Sequence, residues 1–119
     1  MTESVIRTKS YAFAIRIVNA YKFLTDTRKE FVLSKQLLRS GTAIGALVAE
    51  AHHAQSSADF LNKMNIALKE ANETSYWLSL LMDTGYLEQQ VYDSISMDCS
   101  ELIALLVSIV KTLKQSLGK

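Results

Sequence analysis

The chain has 119 residues, with no proline, four glycines, 49% hydrophobic residues, and 13 basic against 12 acidic side chains, a formal net charge of +1. Sandwiches, barrels and disordered linkers need many turn residues, so this composition excludes them and favours one domain of long helices. The balanced charge also argues against a protein that binds phosphate indiscriminately.

The sequence indicates a cytoplasmic location. Cys99 is the single cysteine, so no internal disulfide is possible, which fits a reducing compartment. The residues before Arg16 lack the apolar segment of a signal peptide. No uncharged run approaches the ~20 apolar residues that a membrane span requires.

Apolar residues at three- and four-residue spacings predict a first helix over about residues 5–24. They form two stripes rather than one, so this helix should be apolar on more than one side. The first stripe contains Tyr11, Ala14, Ile15, Val18 and Tyr21, and the second contains Phe13, Ile17, Ala20 and Leu24.

A second helix is predicted over about residues 28–54, beginning at the capping-box pattern Thr27-Arg28-Lys29-Glu30. Within it Gly41, Gly45 and Ala49 recur every four residues and form a face with little side-chain bulk. Two interpretations stay open. The face either admits another helix or a nucleic-acid backbone, or packs closely against the first or fourth helix inside the fold.

The third helix should run over about residues 57–83, capped by one of two serines, Ser56 or Ser57, and ended by Gly85 in the left-handed conformation. Ile66, Trp77 and Leu80 lie off its main apolar stripe. They form either an oligomer interface or the edge of a wide core.

A fourth helix is predicted over about residues 88–117. Short loops between long helices force neighbours to be antiparallel. We therefore expect an all-α fold, an antiparallel up-down-up-down four-helix bundle that occupies residues 1–119 as a single domain.

Candidate chemistry is sparse. Glu50 and His53 have the Glu-x-x-His spacing of ferritin-like di-metal bundles, but the second such motif is missing, and Glu70 and Glu73 could add carboxylates only. Cys99 has no glycine-rich elbow, and no phosphate-binding loop or zinc motif occurs. We expect no enzymatic activity, no metal and no cofactor.

The charge distribution is more informative than the total. Residues 1–39 carry a net charge of +5, residues 40–110 carry −7, and the remaining tail carries +3. The basic segment, which includes Arg7, Lys9 and Arg16, could form a phosphate-contacting face. Alternatively, segments of opposite sign could pair within or between subunits.

Two ordered blocks of sequence resemble the bacterial four helix bundle protein family, also described as the protein encoded by intervening sequences of 23S ribosomal RNA genes. The first block is residues 34–46, SKQLLRSGTAIGA, followed by AEA at 49–51. The second lies on the third helix and contains Asp59-Phe60, Lys63-Met64, residues 66–71, Glu73-Thr74 and Tyr76-Trp77-Leu78.

The resemblance implies a non-enzymatic antiparallel bundle that assembles as a homopentamer. A related branch, the accessory variability determinant of diversity-generating retroelements, binds nucleic acid and a partner reverse transcriptase through a basic surface. By position, Lys35 and Arg39 are then the leading nucleic-acid-binding candidates, beside Arg7, Lys9 and Arg16. RNA, DNA or a protein such as a reverse transcriptase are the implied partners, and a protein-interaction module without nucleic-acid binding is the alternative.

Overall fold

The computed structural model describes residues 2–118, and the side chains of residues 5–118. It contains four helices: α1 (Thr2–Asp26), α2 (Leu33–Ala51), α3 (Ser57–Asp83) and α4 (Gln89–Ser116). Each helix packs against the next, and α4 returns to pack against α1, in a molecule of 47 × 21 × 21 Å. The predicted all-α four-helix bundle is confirmed.

Only one of the two apolar stripes on α1 enters the core. The stripe with Phe13, Ile17 and Leu24 is buried, because these residues recur at helical spacing on one face. On the other stripe, Tyr11 is 70% exposed and Ile15 is 50% exposed. This second stripe therefore forms part of the outer surface of the bundle.

The two glycines of α2 allow α1 to approach closely. A Cβ atom at Gly41 would lie 2.7 Å from Cγ1 of Ile17, and one at Gly45 would lie 3.2 Å from the Ser10 carbonyl oxygen. Glycine costs about 1 kcal/mol relative to alanine inside a helix, and here it is required by packing. Of the two interpretations of this face, close packing against α1 is confirmed.

The predicted start of the second helix was wrong. The helix begins at Leu33 rather than near Arg28, because the capping box at Thr27 does not form and Lys29 adopts a left-handed conformation with φ 56°. Glu30 caps the helix from outside instead. Its carboxylate accepts hydrogen bonds from the backbone N–H groups of Val32, Leu33 and Ser34 at 3.1, 2.9 and 2.6 Å.

The other ends of α2 and α4 also differ from the predicted bounds. The second helix was expected to reach residue 54 and ends at Ala51, and the fourth, expected over 88–117, covers Gln89–Ser116. The connections are residues 27–32, 52–56 and 84–88, slightly longer than the sequence suggests. They remain short enough to keep consecutive helices antiparallel.

Both ends of α3 follow the expected chemistry. Ser56 is the N-cap and its hydroxyl accepts a hydrogen bond from the Asp59 N–H at 3.1 Å. Gly85 has φ 88°, while the N–H groups of Gly85 and Tyr86 donate to the carbonyls of Met82 and Leu81. This is a Schellman motif, so the predicted 57–83 range coincides with the observed helix.

Replacing Glu30 by glutamine should destabilise the bundle in a pH-dependent way. Burial alone would raise the pKa of Glu30, but the three backbone N–H donors outweigh it and lower the pKa. A carboxylate with a lowered pKa stabilises the fold above its unfolded pKa, about 4.3, and loses this effect as the pH falls through the folded value. We expect E30Q to lose about 1 kcal/mol at pH 7, measured by urea unfolding, and the difference should shrink towards pH 3.

The matched control is Glu88→Gln. Glu88 is the N-cap residue of α4 but its side chain makes no capping hydrogen bond. This variant should remain close to wild type at both pH values. An E30Q deficit that is the same at pH 7 and pH 3 would contradict the assigned role of the carboxylate.

Candidate nucleic-acid interface

The five predicted nucleic-acid-binding residues fall into two sets. Lys9, Arg16 and Arg39 form ion pairs with carboxylates of other helices. Arg7 and Lys35 take part in none of the ion pairs that the structure places among residues 5–118. The sequence could not separate the two sets, because the carboxylates that pair with Lys9, Arg16 and Arg39 are distant from them along the chain.

Two of these ion pairs join α1 to α4, the pair of neighbouring helices with the least extensive contact. Lys9 Nζ lies 3.0 Å from Glu101 Oε2, and Arg16 Nη1 lies 2.7 Å from Asp98 Oδ2. Arg16 Nη2 also donates to the Ser94 hydroxyl at 2.9 Å. A phosphate would have to compete with these carboxylates, so Lys9 and Arg16 are the weaker candidates.

Arg39 joins α2 to α3. Its guanidinium donates to Glu70 Oε1 at 3.2 Å and to Glu73 Oε2, and the indole N–H of Trp77 donates to the same Glu73 oxygen at 3.0 Å. The hydrogen bonds from Trp77 and Arg39 lower the pKa of Glu73, while the hydrogen bond to Glu73 raises the pKa of Arg39. The motif residues Arg39, Glu70, Glu73 and Trp77 therefore form one network between two helices.

Beneath this network, α2 and α3 share a buried polar contact. The Thr74 hydroxyl donates to the Ser40 hydroxyl at 3.0 Å, and both side chains are fully buried. The Ser40 hydroxyl in turn donates to the Gln36 carbonyl at 3.0 Å, and the Glu70 carbonyl, 2.8 Å from the Thr74 hydroxyl oxygen, is an alternative acceptor for the single Thr74 proton. The α2–α3 pair is thus held in register by polar contacts both inside and at the surface.

Three of the other cations lie on α1 and α2. Arg7, Lys22 and Lys35 are exposed, and none of them belongs to an ion pair among residues 5–118. Lys22 and Lys35 lie at the same end of the bundle, on the last turns of α1 and the first turn of α2. Arg7 lies towards the opposite end. We refer to these three residues and the surface between them as the α1/α2 face.

A cleft of about 350 Å³ opens on this face beside Arg7. We refer to it as the α1/α2 cleft, and it is lined by Arg7, Thr8, Tyr11, Gly45, Val48 and Ala49. The sequence did not single out Tyr11 as a site residue. Two features of the sequence could have indicated Tyr11 as a site residue. It follows Arg7 by four residues, and it lies off the stripe that contains Phe13 and Ile17.

The predicted oligomer-interface residues lie on the flank of α3 towards α2. Ile66 is 36% exposed, while Trp77 and Leu80 are half-buried. Trp77 also packs against the core, as expected for a residue at the edge of a wide core. Tyr76, in edge-on contact with Trp77, is 58% exposed, so aromatic surface does reach solvent here.

The described side chains form no metal-ligand cluster, and the single cysteine is buried. Among the side chains of residues 5–118, no three from histidine, cysteine, aspartate or glutamate come together as metal ligands would. The Cys99 thiol is buried, lies 3.4 Å from the Ala71 carbonyl, and burial raises its pKa to about 12. Within this part of the chain, no helix has the length and apolar character needed to cross a membrane.

Comparison with known proteins identifies the family. Residues 2–108 match the model of the 23S rRNA-intervening sequence proteins. The chain belongs to this family. The resemblance drawn from the two sequence blocks is therefore confirmed, and the family match covers the ion-pair network as well as the α1/α2 cleft.

A solved structure supports the same assignment. The chain is similar to a protein of unknown function from the S23 ribosomal protein family of Bacteroides thetaiotaomicron, with 59% sequence identity and a TM-score of 0.92. The match covers 93% of this chain and 99% of the other. No curated protein matches the chain.

A double-mutant cycle should detect coupling between Arg39 and Glu73. Arg39→Gln and Glu73→Gln each remove one partner, and the double variant removes both. Because the pair is partly exposed, we expect a coupling free energy of about 0.3–1 kcal/mol by urea unfolding. Glu73→Gln should also change the Trp77 emission spectrum, since it alters the acceptor of the indole N–H.

Glu50→Gln is the matched control, because Glu50 is exposed on α2 and makes no ion pair with the side chains of residues 5–118. It should show no coupling to Arg39. Strictly additive effects of the Arg39 and Glu73 substitutions would contradict the network.

Proposed function

We propose that this protein is a non-enzymatic, cytoplasmic homo-oligomer that acts as an accessory or scaffold protein and binds RNA or DNA weakly through the α1/α2 face. The observation that supports it is the separation of the basic residues into two sets. Lys9, Arg16 and Arg39 are neutralised by carboxylates of other helices, whereas Arg7, Lys22 and Lys35 are exposed on the adjacent helices α1 and α2 and belong to no ion pair among residues 5–118.

The small number of cations sets the strength of the proposed binding. Neutralising phosphates releases counterions, and the slope of log K against log salt is about −0.7 to −0.9 per phosphate contacted. Three contacts per subunit predict about a 20- to 40-fold loss of affinity between ~50 mM and ~200 mM salt. An assembly that contacts nucleic acid through several subunits would show a steeper dependence.

The non-enzymatic part of the proposal is consistent with the contacts of the reactive groups. Glu70 and Glu73, the carboxylates considered for a metal site, both interact with Arg39. Burial and a raised pKa keep the Cys99 thiol protonated at neutral pH. Glu70, Glu73 and Cys99 therefore take part in contacts within the fold.

A second candidate function is favoured by the apolar surface on α3 and the α1–α2 connection. Ile66 and Tyr76 on α3, with Phe31 and Val32 in the connection, are at least one-third exposed. Such surface suits contact with protein. In this alternative the protein is a protein-interaction module without nucleic-acid binding, and in the leading proposal the same surface serves self-association.

Nucleic-acid binding can be tested by fluorescence anisotropy with labelled single-stranded RNA and duplex DNA at ~50 mM and ~200 mM salt. We expect measurable binding at the lower salt and a steep loss at the higher. Arg7→Gln and Lys35→Gln should each weaken binding and reduce the salt slope by about 0.7–0.9. Absence of binding at the lower salt would leave only the protein-interaction function.

Lys69→Gln provides the matched control. Lys69 is exposed on α3, away from the α1/α2 face. Its replacement by glutamine removes one positive charge, as Lys35→Gln does. It should reduce affinity less than Lys35→Gln and leave the salt slope nearly unchanged. Equal effects of the two lysines would indicate attraction by total charge rather than by a defined face.

Self-association can be tested by multi-angle light scattering. The homopentamer implied by the family resemblance would have five times the 13.3 kDa chain mass. Ile66→Glu should lower this mass, because a carboxylate would be desolvated in an interface. Met97→Glu on α4, at a residue 71% exposed, should leave it unchanged, and a monomeric wild-type protein would contradict the proposal.

A further inference from the structure

The α1/α2 cleft combines an aromatic ring with a cation on one wall. Arg7 and Tyr11 are four residues apart on α1, so their side chains lie one above the other on the same side of the helix. The Tyr11 side chain is 70% exposed, and Arg7 is also exposed. A flat ring and a guanidinium therefore reach solvent together beside an opening of about 350 Å³.

The opposite wall and the floor are apolar and carry little bulk. Gly45 and Ala49 are one turn apart on α2, and Val48, 1% exposed, lies between them. No acidic residue lines the cleft among the residues that the structure describes. The volume lies within the range of about 300–1,000 Å³ that is typical of small-ligand sites.

We propose that the α1/α2 cleft accepts an unpaired base of single-stranded nucleic acid, with the base stacked on the Tyr11 ring and a neighbouring phosphate on Arg7. This inference rests on the proposed function, and it specifies the class of nucleic acid. Aromatic side chains next to cations bind single strands in this way, because every base has a π-face and every nucleotide has a phosphate.

The same geometry disfavours a duplex as the ligand. Bases in a duplex are stacked within it, so they reach a cleft only when they are unpaired or flipped out. A duplex could use Arg7, Lys22 and Lys35 as phosphate contacts but would leave the Tyr11 ring unused. The protein should therefore prefer single strands.

The length of the α1/α2 face suits a short strand. Arg7 and Lys22 are separated along α1 by 15 residues, or ~22 Å at 1.5 Å per residue. Single-strand sites commonly cover about 4–16 nucleotides. A strand that begins in the cleft can thus continue along α1 to the lysines at the other end.

The test uses the full-length protein and two fluorescein-labelled RNA probes at ~50 mM salt, an unstructured 12-nucleotide strand and a 12-base-pair duplex. We expect the single strand to bind at least about tenfold more tightly. Tyr11→Ala should weaken single-strand binding about tenfold and change duplex binding less than about twofold. Tyr11→Phe, which keeps the ring, should stay within about twofold of wild type.

Tyr76→Ala is the matched control, because Tyr76 is an exposed tyrosine on α3, outside the cleft. It should leave both affinities unchanged. Ala49→Leu tests the cleft without removing either contact group, since the larger side chain fills the opening, and it should weaken single-strand binding. Ala46→Leu, at an exposed residue of α2 outside the cleft lining, should not.

Each other outcome contradicts a specific statement. If neither probe binds, the proposed function is wrong. If the duplex binds as tightly as the single strand, only the proposal that the cleft accepts an unpaired base is wrong. Equal losses of single-strand affinity in Tyr11→Ala and Tyr76→Ala would also contradict base binding in the cleft. A lower assembly mass for Tyr11→Ala or Ala49→Leu would show that a second copy of the chain occupies it. Circular dichroism melting establishes that each variant is folded, and if Tyr11→Ala is unfolded then Ala49→Leu decides.

Discussion

The close approach of α1 to α2 is the constraint on which the rest of the structure depends. Gly41 faces Ile17 and Gly45 faces the Ser10 carbonyl, at distances that leave no room for a relaxed side chain. The outer surface between the two helices opens as the α1/α2 cleft, to which α2 contributes only Gly45, Val48 and Ala49. It presents the Tyr11 ring and the Arg7 guanidinium instead of a ridge of α2 side chains.

The ion pairs explain why a net charge of +1 is a poor guide to the surface. Four acidic residues of α3 and α4 form ion pairs with cations of α1 and α2: Glu70, Glu73, Asp98 and Glu101. This internal pairing neutralises three of the basic residues in the amino-terminal segment. Arg7, Lys22 and Lys35 remain outside these ion pairs and are exposed on α1 and α2, so a nearly neutral chain still presents cations on two adjacent helices.

Local chemistry was predictable from sequence, and contacts between distant residues were not. Ser56 and Gly85 could be assigned because each helix end is set by residues within one turn of it. The position of Glu30 fits a capping box with Thr27, but its carboxylate accepts hydrogen bonds from the N–H groups that follow it. This outcome depends on the path of the chain between α1 and α2. Arg16 and Asp98 are 82 residues apart, so no local pattern could show that they pair.

The same distinction separates the two apolar stripes of α1. Periodicity identified both, yet it could not say that Phe13 and Ile17 are buried while Tyr11 and Ile15 are exposed. That choice follows from where α2 and α4 pack, which depends on residues in other helices. The family match extends over both stripes.

The buried thiol of Cys99 has a practical consequence. Its raised pKa and 1% exposure mean that maleimides and disulfide reagents can reach it only when α4 separates from α3. The rate at which Cys99 is labelled therefore reports how often the bundle opens, and mass spectrometry can measure this rate on the wild-type chain. Cysteines introduced at the surface could be labelled selectively in the native protein, without first removing Cys99.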